Sequence, residues 1–139
     1  MTEPIIFLVA AGLIGLLILG FVVVLSRRNH KSLDVVYYRK RWQTIEDSID
    51  KTNLPSLALA VLNADKLVDQ AMQQKNYKGT TMGERLKSSK GQWTNENALW
   101  TAHKIRNKIA HEPEANLTYD LTKQALAAFR QALKDLGAL

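Results

Sequence analysis

Twenty-one consecutive residues without a charge or a proline, "IIFLVAAGLIGLLILGFVVVL" from Ile5 to Leu25, constrain this chain more than any other feature. At a helical rise of ~1.5 Å per residue the run reaches across roughly 30 Å, the hydrocarbon thickness of a bilayer. A lone segment in lipid can satisfy its backbone hydrogen bonds only as a helix. A cleaved signal peptide would carry a basic leader, a shorter apolar run and a small-residue cleavage site. Here only Glu3 is charged ahead of the run, and Arg27, Arg28 and Lys31 follow it directly. The positive-inside rule keeps that basic flank in the cytoplasm. The expectation is an uncleaved, single-pass anchor in the cell membrane, with the N-terminus outside and the C-terminal body cytoplasmic. The chain then divides into a short outer N-terminus (1–4), a transmembrane helix in contact with the bilayer (5–25), a basic juxtamembrane linker (26–32) and a cytoplasmic helical domain (33–139). Within the span, Ala11 and Gly15 form a small-x-x-x-small pair of the kind that assists helix pairing.

All 19 Lys and Arg lie beyond the span, against 12 of the 13 acidic residues, which leaves the body at +7. Such an excess suits anionic headgroups and equally suits a phosphate-bearing partner such as RNA. Topology already accounts for the juxtamembrane part of it. The chain has no cysteine, which excludes disulfides, thiolate metal sites and thiol nucleophiles. Three histidines without an H-E-x-x-H pattern, and no glycine-rich phosphate loop, give no reason to expect a metal or a cofactor.

Beyond the anchor the patterning is helical. Ser32 is a candidate cap for a helix running to about Lys51, with Leu33, Val36, Tyr37, Ile45 and Ile49 as its apolar stripe and Trp42 at the edge. Asn53 and Pro55 start a second helix over about 54–75, buried through Leu57, Val61, Ala64, Leu67, Val68 and Ala71. Gly79, Gly83 and Gly91 punctuate an irregular stretch in which a short helix is expected near 82–89. Thr94 opens a helix through about His111, stopped by Pro113. Thr118 caps the last helix, whose inward side is Leu121, Ala125, Leu126, Phe129, Ala132, Leu133 and Leu136. Separate amphipathic helices cannot bury their stripes alone, so an all-α, up-and-down bundle of four to five helices follows the anchor.

The third long helix carries the chemistry. Stepping ~100° per residue puts Ala98, Ala102, Ile105 and Ile109 on the core side and sends Thr101, Lys104 and Lys108 to solvent. Leu99, Trp100, His103, Arg106, Asn107, Ala110 and His111 share a face that is neither core nor ordinary charged surface. Arg106 stands ~140° from His111, so one straight helix does not aim both at the same point. Either the helix loosens at His111, or a second copy supplies the partner across a two-fold axis.

The string Arg106-Asn107-x-x-x-His111, late in a long helix of a small bundle, resembles the R-x4-6-H motif of HEPN domains, the helical "higher eukaryotes and prokaryotes nucleotide-binding" domains. "RNKIAHE" is similar to the R-N-x-x-A-H pattern of bacterial HEPN-like proteins. The resemblance covers about Leu33 to Leu139 and leaves the anchor outside it. Some toxin-type members carry a tyrosine two residues past the histidine, where this chain has Pro113. In catalytic members the resemblance implies a metal-independent endoribonuclease whose paired motifs line a cleft in a homodimer. RNA brings its own 2′-hydroxyl nucleophile, so such an enzyme needs a proton acceptor and a holder of developing charge. On that basis Arg106, Asn107 and His111 are the catalytic candidates: His111 handles the proton, Arg106 stabilises phosphate charge and Asn107 orients. Lys104, Lys108 and His103 are the substrate-binding candidates. The expected homodimer contact is the Trp100/His103/Arg106/His111 face.

Two functions remain open on the sequence. One is the membrane-anchored ribonuclease. The other is a non-catalytic, membrane-tethered module that dimerises or docks a protein partner not identified by the sequence. Arg106 and His111 near a helix C-terminus also complement the helix dipole without any further role. Tyr37, Trp42 and Arg39-Lys40-Arg41 read as a core stripe with a solvated basic face rather than a nucleic-acid patch.

Overall fold

A computed structural model describes residues 2–28, 32–112 and 116–139, with side chains described for 4–23, 32–112 and 116–139. The helix stop read at Pro113 and linker residues 29–31 lie outside the described residues. Six α-helices and no strand occur among the described residues: α1 (Thr2–Arg28), α2 (Val35–Asp47), α3 (Leu54–Gln74), α4 (Met82–Ser88), α5 (Glu96–His111) and α6 (Tyr119–Asp135). The chain forms two compact units, Met1–Lys31 and Ser32–Leu139.

The first unit is α1 alone. Its stretch Pro4–Val23 is long and apolar enough to cross a membrane, and none of it is buried by protein. Side chains such as Phe7, Leu8 and Leu17 stand fully outward, an arrangement that water penalises and lipid does not.

The second unit is all-helical and built around α3, which packs against α2, α5 and α6, while α5 also packs on α6. Each helix of this unit begins with a side chain that accepts from the amide three residues on. Asp34 accepts from Tyr37 (3.0 Å), Asn53 from Ser56 (3.3 Å), Thr81 from Glu84 (3.2 Å), Asn95 from Ala98 (3.0 Å) and Thr118 from Leu121 (3.2 Å). Each such cap stabilises its helix by about 1 kcal/mol. The core is Tyr38, Trp42 and Ile45 of α2, Leu57 through Met72 of α3, Leu86 of α4, Leu99 and Ala102 of α5, and Ala125 through Leu133 of α6. Burial pushes the Tyr38 hydroxyl up to about 12, with the neighbouring Tyr37 acting in the same direction.

Several expectations are corrected. The first body helix starts at Asp34 rather than Ser32 and stops at Asp47, and its buried stripe is Tyr38–Trp42–Ile45. Leu33 and Ile45 are buried as expected, but Val36 is 75% exposed and Tyr37 is exposed as well, and Tyr38 and Trp42 take the inward places. Two adjacent tyrosines after two valines offered two registers of equal apolar weight, and packing against α3 selects between them. Asn95, not Thr94, caps α5. Thr94 is instead tied to α6, its amide and hydroxyl donating to Asp135 at 2.9 and 2.7 Å. Burial would raise the Asp135 carboxyl, but donors from Thr94 and Gln131 outweigh it and hold the group below its usual range. On α6, Leu121 is exposed and Thr122 is buried in its place. On α5, Leu99 belongs to the core, with Ala98, Ile105 and Ile109 only partly buried against it.

Candidate functional site

α3, α4 and α5 wall a groove of about 1090 Å³, lined among others by Leu59, Leu62, Asp65, Lys66, Gly83, Lys87, Trp100, His103, Lys104, Arg106 and Asn107. One wall is α3, whose buried side is apolar except at Asp65, with the half-buried Asp69 one turn further on. Four residues apart, these carboxylates lie one turn from each other on one face.

Asp69 is consumed by α4. Arg85 Nε and Nη2 reach its two carboxylate oxygens at 2.7 and 3.0 Å, and Nη1 donates to the Gly79 carbonyl at 2.6 Å. Gly79 has φ +137°, and a Cβ there would lie 2.7 Å from the Arg85 amide nitrogen, so only glycine lets the loop pass this close. A capping box at Thr81 and Glu84 fixes the start of α4. The hydroxyl and amide of Thr80, with the Thr81 amide, hold the Glu84 carboxyl below its ordinary value. The result is a short helix clamped to α3 as one wall of the groove.

Asp65 faces α5 and is buried, 4% exposed. Its Oδ1 is 2.8 Å from His103 Nδ1 and its Oδ2 is 3.2 Å from Arg106 Nε. An ionised carboxylate only accepts, so Nδ1 carries the hydrogen and Nε2 is the ring's other, lone-pair-bearing position while the imidazole is neutral. Arg106 Nε is close enough for an ion pair, but its N–H does not point at the oxygen and makes no hydrogen bond. Arg106 Nη1 donates to Asn107 Oδ1 at 3.0 Å. The Trp100 ring meets His103 edge-on, centroids 6.1 Å apart.

His103, Arg106 and Asn107 therefore come together at the groove, with Lys104 on its rim. Lys108 is exposed and does not line the groove. His111 is exposed at the last position of α5. No hydrogen bond or ion pair among the described residues joins it to Arg106. α5 stays regular to that point, with the Glu112 amide still donating to the Lys108 carbonyl at 2.8 Å. Loosening of the helix is thus not the route by which Arg106 and His111 meet within one chain. Lys66, Lys87 and Lys104 make no ion pair among the described residues, so the groove presents uncommitted cations beside the half-buried Arg106.

Sequence reasoning missed Asp65. The signal was there: an acid directly after Ala64 and one turn past Val61, inside an apolar stripe, requires a buried partner. Comparison with protein-family models, with curated proteins and with solved structures finds no match in any of the three.

Proposed function

We propose that this chain is a membrane-anchored HEPN-like protein whose body, an up-and-down helical bundle held on the cytoplasmic side by α1, cuts RNA without a metal. The observation that carries the reading is the Arg106–Asn107 pair, presented half-buried in a groove whose lysines 66, 87 and 104 are unpaired among the described residues. A planar guanidinium with lysines around it matches the non-bridging oxygens of a phosphodiester. Phosphoryl transfer from an internal 2′-hydroxyl needs positioning and charge stabilisation more than a protein nucleophile. His111, exposed at the end of the same helix, is the motif's imidazole and acts on a proton of the reaction, with a second copy of the chain bringing the two motifs to one cleft.

The test uses the full chain in lipid nanodiscs with RNA and excess chelator. Products ending in 2′,3′-cyclic phosphate, lost in Arg106→Ala and His111→Ala, are the expected result. RNA left intact across a thousand-fold range of protein concentration would sink the proposal.

One observation favours a second reading, a non-catalytic tethered interaction module. Arg106 is partly spent on Asp65 and Asn107, and the exposed Leu59 with the half-buried Leu62 and Trp100 gives the same groove an apolar rim. Sedimentation of detergent-solubilised chain separates the two. An association that Trp100→Ala abolishes, with no RNA processing in the wild type, selects the module.

A further inference from the structure

The buried pair Asp65–His103 has a geometry that the Arg106-x4-His111 motif does not require. His103 is only 8% exposed, yet it does not sit in an apolar pocket: its Nδ1 is held by Asp65 at 2.8 Å and its flank is closed by Trp100. Its other nitrogen, Nε2, makes no hydrogen bond among the described residues, and His103 lines the groove. A Cβ on Gly83 of α4 would meet Nε2 at 3.7 Å, ordinary van der Waals contact, so a side chain there would crowd this nitrogen. The same carboxylate that fixes the ring also contacts Arg106. An imidazole with one nitrogen pinned by a buried acid and the other facing a cavity is the arrangement of a general base, the acid setting tautomer and orientation.

We infer that His103, oriented by Asp65, is the general base of the groove, and that His111 of a second copy, brought to the same cleft, serves the leaving group. This rests on the ribonuclease reading above. As the 2′-oxygen bonds to phosphorus, its proton passes to His103 Nε2. The bond from phosphorus to the 5′-oxygen breaks, and that oxygen takes a proton from the His111 imidazolium. The products are a 2′,3′-cyclic phosphate and a 5′-hydroxyl, and solvent returns both rings to their starting states. Arg106 bears the charge that builds on the non-bridging oxygens. Asp65 is a positioning residue, since it touches the imidazole and not the substrate.

A pair of substrates separates the two histidines. RNA needs an acid for its 5′-oxygen, whereas a uridine 3′-(p-nitrophenyl phosphate) expels nitrophenolate without one but still needs a base. With full chain in nanodiscs, His103→Gln is expected to lose at least ~100-fold on both substrates. His111→Gln is expected to lose a similar factor on RNA and to recover most of it on the aryl ester. Asp65→Asn should lower kcat more than it changes KM and shift the 15N signals of His103 away from the Nδ1–H tautomer. Gly83→Ala places one methyl in ordinary contact with Nε2, 3.7 Å away, and crowds its approach. It is expected to slow both reactions while unfolding no lower than the wild type, which keeps the test meaningful if His103→Gln folds poorly. The inference is overturned, with the ribonuclease intact, if His111→Gln is dead on the aryl ester while His103→Gln turns it over. A wild type that cuts neither substrate removes the ribonuclease and this inference together.

Discussion

Two aspartates one turn apart on α3 each hold an arginine, and they hold it differently. Asp69 takes Arg85 by both oxygens, and the third donor of that guanidinium goes to the Gly79 carbonyl; the arginine side chain is 7% exposed. Asp65 takes Arg106 through one misaligned contact, shares itself with His103, and leaves the Arg106 side chain 35% exposed. The first arrangement uses up its cation. The second keeps donor capacity facing the groove, and a guanidinium with free donors is what an anion can address. Both arginines sit beside a carboxylate, so proximity alone does not tell a spent cation from an available one; fork geometry and exposure do.

Breaking each pair gives opposite signatures. Arg85→Ala leaves the half-buried Asp69 carboxylate with Gln73 as its remaining donor and the Gly79 carbonyl without this partner. It should cost about 2–3 kcal/mol, read as a fall in the thermal midpoint of the Ser32–Leu139 unit by circular dichroism. A midpoint within a few degrees of wild type would mean that the clamp on α4 is dispensable. Arg106→Ala removes one misaligned contact and leaves Asp65 with His103, so it should cost less than Arg85→Ala, on the order of 1 kcal/mol. On the ribonuclease proposal its main effect is on RNA cleavage, a drop of roughly 100- to 1000-fold in rate for losing one charge-stabilising group. Loss of folding in Arg106→Ala would erase the contrast between the two aspartates.

The smallest expected effect calibrates an acid held by neutral donors. Asp135 accepts from Thr94 and Gln131 and makes no ion pair among the described residues. Asp135→Asn should cost on the order of 1 kcal/mol at neutral pH. Because its folded-state carboxyl titrates below the unfolded one, that stability is present above about pH 4 and disappears as pH falls through the lower, folded value. Denaturation curves across a pH series from 7 into the acid range check this: the gap between wild type and Asp135→Asn should narrow as pH falls. A gap constant across the series would assign the effect to packing.

How much of this was legible in the sequence differs by level. The N-terminal apolar helix is legible because twenty-one uncharged, proline-free residues leave few alternatives. The helices centred on Leu67 and Phe129 are legible because their apolar positions recur at helical spacing and their caps, Asn53 and Thr118, are good acceptors. The start of α2 was not, because Leu33-Asp34-Val35-Val36-Tyr37-Tyr38 supports two stripes, and only contact with α3 decides which tyrosine goes in. At the site, Arg106 and Asn107 are readable as a motif, and the helical wheel puts them with His103. Asp65 was not read, because an isolated acid on α3 acquires meaning only when α5 lies across it. Nor does any local pattern say that Gly83 stands before an imidazole twenty residues away.

The loop conformation at Gly79 has a consequence for reading relatives of this chain. Any side chain there would collide with the backbone that opens α4, so a sequence bearing another residue at the equivalent position must route that connection elsewhere. Rerouting would strip Arg85 of its carbonyl acceptor and release the wall that holds the groove's shape. A single letter in an aligned homologue thus forecasts whether it inherits this cleft or only the helices around it.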